Sequence, residues 1–209
     1  ARIYGDPRQA WEGEWCLALL AGLDAEQKEM VRKDLSWLGF GAISTNVLAH
    51  PKPVMRDVES ALQNSHLDDR VVLMRGTTLN RRQDDAMRAL VHKRWNLAEL
   101  DQHYAAFVDQ FRPVFRAAQK SANPNPRQAF QIRTLLIQEY RRILLRDPLL
   151  PAELLPANWN GTAAYQLCRN LYGRVYSAAD DFMSEHFETA DGPLPPPAPE
   201  FLHRFGGLD

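Results

Sequence analysis

Arginine is the residue type that could do chemistry in this chain. Arg133, Arg141, Arg142 and Arg146 recur along one stretch, and Arg142 and Arg146 stand four residues apart, on one face of a helix. A guanidinium is a planar fork that meets phosphate or carboxylate with two parallel hydrogen bonds. Arginines at helical spacing can therefore line a cleft for an anionic ligand. Arg169 and Arg174, later in the chain, can face the same cleft, with Tyr140 and Trp159 as aromatic neighbours. The plainer alternative is structural: salt bridges to acidic helix ends and bonds to backbone carbonyls, with Glu139 placed to pair with Arg142 at i+3.

Other chemistries find less support. Six histidines are scattered, with no HExxH and no Cys/His spacing for a metal. No G-x-S-x-G elbow marks a nucleophile, and Gly39-Phe40-Gly41 lacks the lysine and serine of a phosphate loop. The pairs Asp68-Asp69, Asp84-Asp85 and Asp180-Asp181 suit solvated helix ends. No cofactor and no catalytic residue is expected. The formal net charge of -1 gives no global attraction to nucleic acid. Cys16 and Cys168 sit in apolar patterns and are expected as buried thiols of a cytosolic protein. No segment approaches the roughly 18 apolar residues of a membrane span. The missing initiator Met suggests a fragment or processed product, and no signal peptide is evident.

The elements that must position the arginines follow from periodicity. Asn125 caps a helix, Pro126 fits its first position and Gln128 lies three past the cap. Ala129, Ile132, Leu136, Tyr140 and Ile143 make one apolar stripe, with Phe130, Ile137 and Leu144 beside it. A helix apolar over so much of its surface is expected to be mostly buried. Pro148, Pro151 and Pro156 then shape a compact linker to Gly161, and a last long helix runs from Thr162 to about His186.

Upstream, residues 1–13 read as a linker or loose arm with a turn at Tyr4-Gly5-Asp6-Pro7. Glu14 to Ala21 is expected as a central strand covered on both faces. Asp24 caps a helix that Gly39 ends. A tight hairpin surrounds Ser44 to Asn46, a short helix carries Val54, Val58 and Leu62, and Arg70 to Arg75 is another strand. Strand, helix, strand, strand, helix, strand is the split βαβ, or ferredoxin-like, order. The fold class is α+β, with a ferredoxin-like domain over 14–78 and an all-helical domain over 79–209. In the latter, Asn80 or Gln83 opens one helix. Asn96 caps the next, with Glu99 completing a capping box and Trp95 stapled to Leu100. Pro113 is expected to kink or break that helix. The proline run 193–199 is expected as a stiff extended crossing, and residues 201–209 as a docked end.

Several of these residues carry a resemblance. The run from Tyr140 through Arg141, Arg142, Arg146, Asp147 and Pro148 to Pro151, continued by Glu153-Leu154-Leu155-Pro156 and Trp159, resembles the signature of the PaaX family. Ile3-Tyr4-Gly5 with Trp11, Gly13 and Trp15, then Trp37-Leu38-Gly39-Phe40-Gly41, and finally Arg204-Phe205-Gly206-Gly207-Leu208 match as well. The similarity runs over essentially the whole chain.

The resemblance implies repressors of phenylacetic acid degradation operons. It implies an N-terminal winged-helix DNA-binding domain, a ferredoxin-like middle domain similar to the small CRISPR-associated protein of the adaptation complex, and a helical C-terminal domain. It implies phenylacetyl-coenzyme A as the effector that relieves repression, and homodimers on a palindromic operator. The winged-helix domain is expected to be absent here, so operator binding would need that missing part. Arginines would hold the coenzyme A phosphates, and Trp159, Tyr140 or Phe130 the phenyl group. The acidic residue that the CRISPR-associated relatives carry after their first strand would fall on Asp24, which a helix cap already explains. Two other readings stand beside this one: a structural dimerisation module with the effector bound elsewhere, and an acyl-coenzyme A enzyme, for which no base or nucleophile is marked.

Overall fold

The computed structural model describes residues 11–121, 124–190, 192–196 and 204–207. The Tyr4 turn, residues 197–199 of the proline run and residues 201–203 and 208–209 of the expected docked end lie outside them.

The chain opens with β1 (Glu14–Leu19), α1 (Ala25–Trp37), β2 (Gly41–Ser44), β3 (Val47–His50), α2 (Met55–Asn64) and β4 (Val72–Thr77). The four strands form one sheet in the order β2-β3-β1-β4, and every neighbouring pair is antiparallel. β1 pairs Cys16 with His50 on one side and with Arg75 on the other. Side chains alternate across a strand, so Cys16, Ala18 and Leu20 share one face. That face meets Val31 and Leu35 of α1 and Val58 and Leu62 of α2 in a buried core. Fully burying a Leu or Val stabilises by about 1.5–3 kcal/mol, so these positions hold the helices to the sheet. The opposite face is not closed as expected. Leu17 and Leu19 are half-buried, and their β4 partners Met74 and Val72 are exposed.

Caps set the helix starts. Asp24 accepts from the Gln27 amide at 2.9 Å while Gln27 accepts from the Asp24 amide at 3.2 Å, a reciprocal capping box. Asn80 caps α3 (Arg81–Arg94), and Asn125 caps α5 (Pro126–Leu144) through the Gln128 amide at 3.1 Å. Asn96, expected as the next cap, has a φ of 48°, a left-handed conformation that Asn tolerates. It turns the chain between α3 and α4 (Leu97–Lys120). Trp95 lies over Gly41, where a Cβ would overlap its ring, and donates from Nε1 to the Gly39 carbonyl at 2.9 Å. α4 runs through Pro113 without ending.

α6 (Asn160–His186) packs along α5. Leu171, Val175 and Ala179 are buried on it, and Ala129, Leu136, Tyr140 and Leu144 on α5. α5 is less buried than its apolar content predicts: Leu135 and Leu145 are exposed, so one flank stays open. The part expected to be all-helical also carries a two-residue ladder of β5 (Glu188–Thr189) and β6 (Gly192–Pro193).

Two compact units result. Among the described residues, one holds 11–98 together with Asp147–Ala157, and the other holds Glu99–Arg146 and the residues from Asn158 onward. The strip from Asp147 to Ala157 is fastened within its unit. Buried Asp147 accepts from the Leu149 amide at 2.7 Å, bending the chain at Pro148. His92 Nε2 donates to the Leu154 carbonyl at 3.0 Å, which fixes the tautomer of that ring.

Candidate functional site

The open flank of α5 carries the site. Residues 133, 134, 137, 138, 141 and 145 follow the i, i+4 spacing of one helical stripe. They line a cavity of about 520 Å³, completed by Arg142, by Tyr172 from α6 and by Arg204 from a short turn near the C-terminus. Four arginines thus meet at one cavity, and no carboxylate stands among its described lining residues. Ile137 and Leu145 supply apolar wall beside them. Such a lining can hold an anion through its guanidinium forks and an apolar group alongside.

The arginines differ in how they are engaged. Arg133 Nη1 donates to Asp180 Oδ1 at 2.8 Å, and its side chain is only 11 % exposed. Arg142 is 72 % exposed and stands 3.5 Å from Glu139 Oε2, a weak surface pair. Arg141 is exposed. Arg204 Nη1 donates to the buried Tyr172 hydroxyl at 2.9 Å. Arg142 also borders a smaller cavity of about 170 Å³ between α4 and α5, lined by His103, Phe107, Gln110, Glu139 and Arg146.

The remaining residues named from sequence sit elsewhere. Tyr140 is buried between Tyr104 and Phe107, at centroid distances of 6.5 and 5.5 Å. Trp159 packs edge-on to Tyr104 at 5.6 Å, and its buried Nε1 finds no partner among the described residues. Phe130 packs against Phe182 and Phe187 with tilted rings, at centroid distances of 5.3 and 5.4 Å. Arg174 donates to the Ala118 carbonyl at 3.2 Å and to the Ser121 carbonyl, closing the end of α4. Arg169 is exposed on α6. Sequence reasoning missed Arg204 and Tyr172. Their approach to α5 is a tertiary contact with no local signal, although Arg204 belongs to a motif that carried the resemblance.

The other unit holds a cavity of about 310 Å³ beside Trp11 and Trp15, whose rings meet edge-on at 5.1 Å. Its charges are mixed: Arg75 pairs with Glu14 at 3.4 Å, next to Lys52 and Glu12. It therefore favours anions less than the α5 cavity does. Among the described residues no cluster of His, Cys, Asp or Glu could hold a metal, and no helix is long and apolar enough to cross a membrane.

An α+β unit on an antiparallel sheet is thus followed in the chain by a mainly helical unit that carries an arginine-lined cavity. The chain belongs to the PaaX family. Residues 8–88 match the PaaX central Cas2-like domain and residues 95–185 the PaaX-like C-terminal domain. It is 41% identical over its whole length to the transcriptional repressor PaaX of Escherichia coli K12, and it spans 66% of that protein. Among solved structures, an uncharacterized protein from Mycobacterium tuberculosis aligns over 84% of this chain and 65% of its own, with a TM-score of 0.56 at 21% identity, which speaks to the fold alone.

Proposed function

We propose that the chain is the effector-sensing and dimerisation part of a transcriptional repressor of phenylacetate catabolism genes, released from its operator by phenylacetyl-coenzyme A. The observation that carries this is the convergence of Arg133, Arg141, Arg142 and Arg204 on one cavity with apolar walls. Coenzyme A thioesters combine phosphates with an apolar acyl group, which is the mixture such a lining suits. The 41% identity to a protein named as a repressor supports the regulatory role.

The sheet order β2-β3-β1-β4 with two helices on one face supports a ferredoxin-like middle domain, placed at 14–78, ahead of a helical domain at 79–209. Operator DNA would be read by a winged-helix domain N-terminal to these residues, in a cytoplasmic homodimer. Effector binding would bias how the domains are held and so the spacing of two recognition helices. No residue is assigned a catalytic role.

A second reading, a structural module with the effector bound elsewhere, draws on the use of Arg133 for Asp180 and of Arg174 for the α4 end. Calorimetric titration with phenylacetyl-coenzyme A, with phenylacetate and coenzyme A as controls, separates the two. Selective binding of the thioester supports the sensing role. A folded sample that binds none of the three supports the structural module.

A further inference from the structure

Phe205 is a bulky residue in a left-handed conformation, φ 55°. Such residues avoid that region unless their surroundings over-determine it. Here the ring is 1 % exposed and packs at 5.2 Å from Tyr172 and 6.0 Å from Tyr165, both on α6. Burial of the ring thus holds a backbone that the residue would not choose alone. The preceding side chain is delivered to the cavity as a result: Arg204 borders it, oriented by its bond to the Tyr172 hydroxyl. Arg141 and Arg142 come to the same cavity from α5. The guanidinium groups therefore belong to two stretches of chain more than 60 residues apart.

We infer that the turn Arg204–Gly206 is a clamp on the phosphorylated ligand of this cavity, with Arg204 as an anion-binding residue and docking of the turn coupled to occupancy. The inference rests on the reading of the cavity as a coenzyme A thioester site. A phosphate group shared by Arg204 and the α5 arginines ties the turn to α5. By reciprocity, a well-docked turn raises affinity for the ligand. Phe205 is the positioning residue, since it sets where Arg204 points.

The test uses the 209-residue chain and phenylacetyl-coenzyme A as the probe, by calorimetry and by hydrogen exchange. Arg204→Ala is expected to weaken binding about 10- to 100-fold, the loss of one charge-assisted phosphate contact. Arg204→Lys restores part of it, because the charge returns without the fork. Exchange of the Gly207 amide, which donates to the Arg204 carbonyl at 3.1 Å, slows when phenylacetyl-coenzyme A is added. Phe205→Ala weakens binding with Arg141 and Arg142 intact. If that variant fails to fold, Arg204→Ala decides, since it leaves the anchoring ring in place. Wild-type affinity in Arg204→Ala, with exchange at Gly207 indifferent to phenylacetyl-coenzyme A, overturns the clamp and leaves the cavity assignment standing. Absence of phenylacetyl-coenzyme A binding by the wild-type chain overturns both.

Discussion

Arg133 on α5 and Asp180 on α6 form a short charged hydrogen bond, 2.8 Å long, with side chains only 11 % and 29 % exposed. The pair joins the two helices at the edge of the arginine-lined cavity. Charges this sheltered are costly to leave alone. Arg133→Ala is therefore expected to destabilise by about 2–3 kcal/mol, lowering Tm by roughly 4–12 °C in a chain of this size. Thermal denaturation of Arg133→Ala, Asp180→Ala and the double variant checks it. Two equal single losses that do not add would identify the pair as the cause.

Arg141 and Arg142 should respond in the opposite sense. Both are exposed, and Arg142 meets Glu139 only across 3.5 Å of surface. Replacing either by Ala should change stability by no more than about 0.5 kcal/mol. Binding of phenylacetyl-coenzyme A should fall about tenfold or more for each. Titrations at rising salt should steepen the loss for the wild type more than for the variants. Equal affinity in all three proteins would point to the structural role.

The buried thiols make a prediction for alkaline pH. Burial pushes the Cys168 thiol far above its ordinary range, and it raises Cys16 less. A raised value means that the folded state keeps a proton which the unfolded chain loses. Stability is then full below about pH 8.5, the value of an exposed thiol, and falls as pH climbs past it. The expected slope reaches about 1.4 kcal/mol per pH unit for one thiol. Denaturation between pH 8 and 10, comparing the wild type with Cys168→Ala, should show a flatter profile in the variant.

Gly41 has no conformational need to be glycine, but a Cβ there would run into the Trp95 ring. Gly41→Ala should displace that ring from Gly39 and cost about 1–3 kcal/mol. In a Trp95→Ala background the same change should be close to neutral. Trp95 fluorescence reports the displacement, and an unchanged spectrum would mean that the ring tolerates the methyl group.

Local signals carried much of the fold. Asp24, Asn80 and Asn125 announced three helices through side chains that bond within four residues, and the tight hairpin expected around Ser44 to Asn46 is the β2–β3 pair. Asn96, expected as a cap, takes a left-handed φ of 48°, which Asn tolerates, and Trp95 beside it donates to the Gly39 carbonyl. Pro113 removes one hydrogen bond, and the long α4 continues regardless. The site was half legible. Of the arginines named from sequence, Arg133, Arg141 and Arg142 line the larger cavity, while Arg146, expected to share a face with Arg142, meets it only at the smaller one. Asp180, which engages Arg133, lies 47 residues away, and no periodicity could have named it.

The path of the chain between its two units has a practical meaning. After most of α4 and all of α5, the strip Asp147–Ala157 returns to complete the unit built on the sheet, and the chain then leaves again for α6. Neither half can be cut out as one uninterrupted gene segment. A fragment ending near Ala98 loses the Leu154 carbonyl that receives His92, and it uncovers the surface where Pro148 approaches Gly39. To isolate the sheet unit, Asp147–Ala157 would have to be spliced back through a new loop or supplied as a separate peptide. The same lacing gives a protease only poor choices, because a single nick between the units leaves both still threaded through each other's sequence.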